Sequence, residues 1–227
     1  MAAERTSTIA GRCTRLLGGV FAALLALCVN AVAAEDFNVA VQGRQLTMEL
    51  AGHIVSVPGP VWTSDGDTTD VEKTQFVYRP VSDGVETVLL LPFDETLVTW
   101  TRIMGIVAVA QPGYLAAYHA ASMIETMGRD CAPGNSVVSK IPAASKGALE
   151  GLLLMCGRYR PTRQTSHTCP AGIIIAVVLQ SPQGAARVYY EWCTPTFDIR
   201  NAGAWPVTGA EMQTRATELQ ESTAFVP

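Results

Sequence analysis

The sequence predicts an α+β fold: a mainly antiparallel sheet with one central helix and a C-terminal helix, in a single disulfide-stapled domain. Strand-like segments cluster along the chain instead of alternating strictly with helices, which favours antiparallel pairing. Helical periodicity is confined to residues 114–128 and 208–222. Four of the six cysteines follow an N-terminal segment of secretory type. An even number of cysteines in an exported chain indicates two disulfides.

The N-terminal segment has the pattern of a secretory signal peptide. Three arginines lie within the first 15 residues, residues 16–29 are apolar, and small residues at 31–34 suit signal peptidase. We therefore expect residues 1–34 to be removed by cleavage near Ala33 or Ala34. Residues 35–227 then form a single α+β domain that is periplasmic or secreted.

Two alternatives for this segment fit less well. A membrane anchor requires a longer apolar run than residues 16–29 provide. A lipoprotein anchored through Cys28 requires a small residue before that cysteine, where this chain has Leu27. No later hydrophobic segment is long enough to span a bilayer, and the longest candidate, residues 173–179, has the length of a strand.

The charge of the mature chain argues against nucleic acid as a partner. Cleavage removes three arginines and one glutamate, which leaves 13 basic and 19 acidic residues and a net charge of −6. No run of lysine or arginine forms a basic patch, so an anionic membrane surface is also disfavoured.

Strands dominate the first half of the mature chain. Residues 37–41 and 44–50 alternate in polarity and predict a hairpin through Gln42-Gly43. A bend at residues 51–53 precedes a third apolar segment, at residues 54–57. A second hairpin is predicted from residues 75–81 and 86–91 through Ser82-Asp83-Gly84, followed by a strand within the apolar run at residues 100–109.

Residues 114–128 predict the central helix. Pro112 and Gly113 suit its start and Gly128 its end. Its predicted apolar stripe, which we expect to lie against a sheet, comprises Ala116, Ala120, Met123, Ile124 and Met127. Tyr118 is predicted on the opposite face, and His119 is predicted to be a solvated surface residue on the helix flank.

The second half predicts three further strand regions and a helix. Strands are expected at residues 137–141 and within 148–159. The most distinct strand pair is the hairpin of residues 173–179 and 187–193. The polar helix at residues 208–222 carries its apolar stripe on Met212, Ala216 and Leu219. No internal repeat is present.

The four remaining cysteines allow three disulfide pairings. We favour Cys131–Cys156 and Cys169–Cys193, because each pairs the end of one element with a strand expected beside it. Each bridge is expected to stabilise the domain by about 2–4 kcal/mol.

The order of elements resembles a known family of exported proteins. The segments that carry the resemblance are Val57–Trp62, Glu95–Thr101, the helix ending at Cys131, the strand with Cys156 and the hairpin ending in Tyr189–Trp192. Over about residues 45–222, this order resembles the Mog1/PsbP-type α/β/α sandwich of small exported bacterial proteins. The resemblance implies that fold and non-enzymatic partner binding. It implies no catalytic residue, because the family has no common catalytic set.

The motifs of common enzyme classes are absent from the sequence. There is no Gly-x-Ser-x-Gly elbow, no Cys-x-x-Cys pair, and no Walker or dinucleotide glycine pattern. Counted from Asp65, a calcium loop requires Gly at position six and Glu at position twelve, which here are Asp70 and Phe76. We therefore predict no catalytic residue, no metal ligand and no cofactor.

Three functional hypotheses remain from the sequence. The favoured hypothesis is an exported, non-enzymatic binding or envelope-interaction protein with a protein partner in the cell envelope. Its candidate recognition surface comprises Trp62, Arg158, Tyr159, Arg160, Arg163 and Trp205, because aromatic residues with arginines often anchor protein contacts. The first alternative is an envelope enzyme with a Cys169 thiolate activated by His167. The second is a small-ligand or metal carrier, with its site between helix and sheet.

Overall fold

The computed structural model describes residues 38–63, 70–82, 84–161, 163 and 169–227. The predicted signal peptide (residues 1–34), Asp65 and His167 lie outside these residues. The described part of residues 35–227 contains two α-helices and eleven strands. The helices are α1 (Ala116–Asp130) and α2 (Gly209–Ser222). The strands are β1 (Val39–Gln42), β2 (Gln45–Leu50), β3 (His53–Pro58), β4 (Thr74–Ser82), β5 (Val85–Pro92), β6 (Arg102–Val109), β7 (Ser136–Ile141), β8 (Gly151–Cys156), β9 (Ala171–Ser181), β10 (Gly184–Thr194) and β11 (Ala224–Val226).

The strands form two sheets, with every described pairing between strands antiparallel. The larger sheet has the order β4-β5-β6-β10-β9-β8-β7, and the smaller has the order β1-β2-β3-β11. The predicted α+β class with a mainly antiparallel sheet is therefore confirmed. The short strand β11 was not predicted, because its three residues are too few to show a strand pattern.

The seven-stranded sheet buries both of its faces. On one face, residues such as Ile106, Ile175 and Val188 form the main core with the four-stranded sheet and α2. On the other face, Leu154 and Ala176 pack against Met123 and Met127 of α1. The domain is thus layered, with α1 covering the second face around β8, β9 and β10.

The tight turns follow from backbone conformation. Ala51 and Gly52 connect β2 to β3 with φ of 49° and 71°, and such left-handed pairs match the twist of a two-residue hairpin. In the preceding hairpin, Gln42 pairs with Gln45, so the turn residues are Gly43 and Arg44. The predicted turn at Gln42-Gly43 was therefore displaced by one position, because Gly43 takes a left-handed conformation at the start of the turn.

Helix α1 begins and ends two residues later than predicted. Gly128 does not stop it, and the helix continues to Asp130, where the backbone N–H of Cys131 donates to the Met127 carbonyl at 2.9 Å. The backbone of Cys131 then forms an isolated antiparallel β-bridge with Tyr159. The end of the helix is therefore set by this tertiary pairing rather than by the glycine.

The buried stripe of α1 differs from the predicted one. Met123 and Met127 are buried as expected, but Ile124 is 41% exposed and His119 only 3% exposed. The prediction that His119 is a solvated surface residue was wrong. Since residues four apart share a helix face, His119 continues the line of Met123 and Met127 toward the sheet.

Helix α2 matches the prediction closely. Thr208 caps its start, where the side-chain oxygen accepts a hydrogen bond from the Glu211 backbone N–H at 3.1 Å. Met212, Ala216 and Leu219 are buried against the main core, as their spacing predicted.

Both favoured disulfides are present. Cys131 bonds to Cys156, which ties the end of α1 to the end of β8. Cys169 bonds to Cys193, which ties the start of β9 to the end of β10. The two bonds fit an oxidising compartment. Neither helix in the described part of the chain is long and apolar enough to cross a membrane.

Candidate functional site

A cleft lies between helix α1 and the seven-stranded sheet, with a volume of about 170 Å³. We call it the α1 cleft. It is lined by Ser122, Met123, Thr126, Met127, Asp130, Tyr159, Arg163, Ile174, Arg187, Tyr189 and Glu191. One side of the cleft is apolar and comes from Met123, Met127 and Ile174. The opposite side is charged.

The charged side arises from the alternation of β10. Side chains of successive strand residues point to opposite faces. Val188 and Tyr190 enter the main core, while Arg187, Tyr189 and Glu191 face α1. Polar alternation of this kind normally indicates a solvent-exposed face, but here the helix covers it.

Arg163 enters the cleft from the segment between β8 and β9. Its guanidinium carbon lies 3.7 Å from the centre of the Tyr159 ring. Its nitrogens approach Asp130 Oδ2 and Glu191 Oε1 at 3.9 Å each, beyond hydrogen-bond distance. The buried Nε and Nη1 atoms of Arg163 have no hydrogen-bond partner among the described residues. This guanidinium therefore offers donors that the described protein atoms leave unsatisfied.

Arg187 presents a second guanidinium. Its carbon lies 5.8 Å from the centre of the Tyr189 ring, and its buried Nε also lacks a partner within the described chain. Burial, reinforced by the Arg187 charge, lowers the pKa of nearby His119 to about 4, and hydrogen bonding to the Ala185 backbone only partly opposes this. At neutral pH His119 is therefore uncharged.

Glu191 lies near Arg163 and on the same face of β10 as Arg187. Its side chain is 12% exposed, and burial raises its pKa to about 7 although Arg163 and Arg187 both favour the ionised form. The arginines do not restore an ordinary pKa, because neither makes a close hydrogen bond to the carboxylate. Glu191 consequently changes charge near neutral pH, inside the cleft.

Two tyrosines line the cleft because glycines on the sheet leave room for their rings. A Cβ atom on Gly105 would lie 2.2 Å from Tyr189 Cζ, and one on Gly172 would lie 2.6 Å from the Tyr159 hydroxyl. Burial raises the pKa of Tyr189 to about 12 and also raises that of Tyr159. Both hydroxyls are therefore neutral donors at physiological pH.

The disulfides frame this site. Asp130 precedes Cys131, and Glu191 lies two residues before Cys193. Tyr159 lies three positions after Cys156, and Arg163 lies six positions before Cys169. The covalent bonds thus anchor three walls of the cleft at the same end of the sheet.

The predicted recognition residues are divided between several places. Tyr159 and Arg163 line the α1 cleft. Arg158 and Arg160 are exposed on the adjoining segment, where Arg160 Nε donates to the Cys131 carbonyl at 2.8 Å. The two tryptophans, Trp62 and Trp205, pack against the core on the other face of the sheet. The structure does not bring the six residues together into one surface.

Trp62 borders a separate surface depression. It donates from Nε1 to Thr74 Oγ1 at 3.1 Å, and the Arg102 guanidinium lies 5.8 Å from its ring. The depression has a volume of about 340 Å³, and Phe93 on its wall is 73% exposed. We favour the smaller α1 cleft as the functional site, because its unpartnered charged groups are removed from solvent.

The hypothesis of a cysteine nucleophile does not match this arrangement. Cys169 is bonded to Cys193, so it carries no thiol in this structure. In the described part of the chain, no three His, Cys, Asp or Glu side chains are grouped to hold a metal ion.

Sequence reasoning missed the two central residues of the cleft. Arg187 and Glu191 lie four apart on β10, which was predicted as a strand without any statement of which side chains face which way. The available signal was the presence of charged residues within an otherwise apolar strand at the centre of the chain's strongest hairpin. Comparisons with protein-family models, curated proteins and solved structures found no match to this chain, and the resemblance to the Mog1/PsbP-type sandwich stays a prediction.

Proposed function

We propose that this protein is an exported binding protein that holds a small anionic organic molecule in the α1 cleft without transforming it. The proposed location is the periplasm or the medium, after removal of residues 1–34. The observation that carries the proposal is the pair of guanidinium groups, Arg163 and Arg187, with buried N–H donors that lack acceptors among the described residues.

Unsatisfied buried donors favour an acceptor from outside the protein. A buried N–H without a partner costs about 1–3 kcal/mol, and more when the group is charged. An anion that accepts from these donors removes that cost and forms charge-assisted hydrogen bonds, which are stronger than neutral ones. The apolar side of the cleft, formed by Met123, Met127 and Ile174, suits an organic body attached to the anionic group.

The volume of the α1 cleft suits a small molecule. At about 170 Å³ the cleft is smaller than the ~300–1,000 Å³ pockets that typically bind drug-sized ligands, so we expect a ligand smaller than these. The exposed residues Arg158 and Arg160 flank the cleft and suit contact with an envelope protein that receives or delivers the ligand. This protein contact is the second part of the proposal.

The experiment is a thermal-shift panel on the oxidised mature protein, with butyrate, inorganic phosphate and the uncharged butyramide as probes. A ligand at one hundred times its dissociation constant stabilises by about 2.7 kcal/mol, which raises the Tm of a domain of this size by about 5–10 °C. We expect butyrate or phosphate to raise the Tm and butyramide to leave it unchanged.

Two variants and one matched control locate the site. Arg163→Gln and Arg187→Gln are expected to remove the shift, because each deletes one guanidinium from the cleft. Arg79→Gln is the control, since Arg79 is exposed on β4, at the edge of the seven-stranded sheet that is remote from α1. A shift that persists in both cleft variants, or no shift with any anion, contradicts the proposal.

The pKa of Glu191 supports a second candidate function. A buried carboxyl that titrates near pH 7 in a cleft has the properties of a general acid or base. In that case the ligand would be a substrate, and mass spectrometry of the recovered probe would reveal a new product that the Glu191→Gln variant does not form. Recovery of unchanged ligand in stoichiometric amount favours binding.

A further inference from the structure

We propose that the α1 cleft takes up a small monocarboxylate together with one proton from solvent, and that Glu191 holds this proton. The inference rests on the proposed function and adds to it the class of ligand and its linkage to pH. It is argued from the charges that surround Glu191 and from the geometry of the two arginines.

The charges of the cleft balance before any ligand enters. Its lining includes two cations, Arg163 and Arg187, and two carboxylates, Asp130 and Glu191. Arg129 also donates a hydrogen bond to Asp130, but its side chain is 68% exposed, so solvent screens its charge and the balance among the buried groups is kept. An anion that entered unaccompanied would leave an uncompensated negative charge in a buried space, which is unfavourable.

The groups facing Glu191 show where the compensating proton resides. From the segment after β8 these are Tyr159 and Arg163, from α1 Asp130, and from β10 itself Arg187 and Tyr189. The neighbouring strands contribute Ile103 on β6 and Ile174 on β9, which do not ionise. Burial raises the pKa of Glu191 to about 7, and a second carboxylate beside it raises this pKa further.

The charge of the cleft favours a monocarboxylate over phosphate. A guanidinium offers a planar pair of donors that matches the oxygens of either group. Glu191 Oε1 lies 3.9 Å from Arg163 Nη2, so the internal carboxylate makes no close hydrogen bond to that guanidinium. A monocarboxylate with one proton restores the original net charge of the cleft. Phosphate near pH 7 carries between one and two negative charges, so on average one proton does not compensate it.

The size of the cleft and its apolar side limit the organic part. Met123, Met127 and Ile174 provide a surface for a short hydrocarbon body rather than for a polar sugar or nucleotide. Butyrate therefore serves as the probe, with acetate as a shorter monocarboxylate and butyramide as the neutral match. A dipeptide with a blocked N-terminus and a free C-terminal carboxylate tests whether the cleft binds the C-terminus of a peptide rather than a free carboxylic acid.

The test is isothermal titration calorimetry of butyrate into the oxidised mature protein. At pH 8, comparison of two buffers with different ionisation enthalpies is expected to show uptake of roughly 0.9 proton per butyrate bound. Between pH 6 and pH 8.5 the Kd is expected to rise roughly 30-fold, since deprotonated Glu191 must be reprotonated before the anion binds. The Glu191→Gln variant resembles the protonated state, so it is expected to bind butyrate independently of pH and roughly 30-fold more tightly than wild type at pH 8.5.

The outcomes separate this inference from the proposed function. Butyrate binding without proton uptake and with a constant Kd overturns the inference and leaves anion binding in the cleft intact. Tighter binding of phosphate than of butyrate overturns the carboxylate class. Failure of every anion to bind at any pH overturns the proposed function itself. Should Glu191→Gln fail to fold, the wild-type proton count alone decides the linkage.

Discussion

Replacing Glu191 by glutamine is expected to make the folded protein more stable at alkaline pH and to leave it nearly unchanged at acidic pH. Glutamine has almost the same shape as a protonated glutamate but cannot ionise. The substitution therefore removes only the cost of holding a carboxylate in the α1 cleft. The effect is a property of the ligand-free protein and does not depend on which molecule binds there.

The magnitude follows from the pKa of Glu191. This pKa is about 7 in the folded protein and 4.5 when the group is exposed. The folded state therefore binds the proton more tightly, so the stability associated with Glu191 is fully present below pH 4.5 and is lost as pH rises through 7. With about 1.4 kcal/mol for each pKa unit, the loss reaches about 3 kcal/mol at pH 8.

The assay is urea denaturation of wild type and Glu191→Gln at pH 4 and pH 8. The quantity of interest is the stability gain of the variant at pH 8 minus its gain at pH 4, because contributions that do not depend on pH cancel in this difference. We expect about +3 kcal/mol. Glu125→Gln is the matched control, since Glu125 lies on the exposed side of α1, and we expect a difference near zero for it.

A difference below about 1 kcal/mol for Glu191→Gln would refute the reasoning. It would mean that Arg163 and Arg187 stabilise the carboxylate fully and that burial does not dominate its ionisation. The proton-linked binding of a carboxylate would then lose its physical basis.

Three further predictions concern the surroundings of the cleft. The lowered pKa of His119 makes its stability contribution present above pH 6.5 and lost as pH falls through 4, which is opposite to Glu191. In wild type the two effects should nearly cancel between pH 4 and pH 8. In His119→Gln only the Glu191 effect remains, so urea titration should show a fall of about 3 kcal/mol in unfolding free energy from pH 4 to pH 8. Gly105→Ala should lower the unfolding free energy by about 2–3 kcal/mol, because the added Cβ overlaps the Tyr189 ring. Gly128→Ala, on the open side of α1, should raise the unfolding free energy by about 0.5–1 kcal/mol in the same urea titration. Replacing both Cys169 and Cys193 by serine should lower the unfolding free energy by about 3–4 kcal/mol, since the bond closes a loop with a separation of 24 residues; an unchanged urea midpoint would contradict this.

Local signals explain which parts of the fold were predictable. The β9–β10 hairpin follows from two strand-sized segments on either side of a turn at residues 181–184, and the buried stripe of α2 follows from a period of about 3.6 residues. The disulfide pairing was also accessible, because each bond joins the end of one element to a neighbouring strand. These features depend little on the rest of the chain.

The site depends on long-range packing and was therefore not predictable in the same way. His119 was assigned to the surface because a histidine beside Tyr118 resembles an exposed helix flank. Its burial results from the orientation of α1 over β10, which the period of the helix alone does not determine. Likewise, the sequence around Arg187 and Glu191 is that of a half-buried strand with these two side chains in solvent. In the structure they are covered by α1, which precedes them by roughly 60 residues in the chain.

The central position of β10 has a consequence for how the domain folds. In the seven-stranded sheet, β10 separates β6 from β9, and Tyr189 pairs with Gly105, which precedes it by 84 positions in the chain. The meander β4-β5-β6 therefore keeps an unpaired apolar edge until residues 184–194 arrive, and exposed edges of this kind favour aggregation. Pairings of such high contact order form slowly. The charged cleft thus comes into existence only at this late step, when β10 joins the two halves of the sheet.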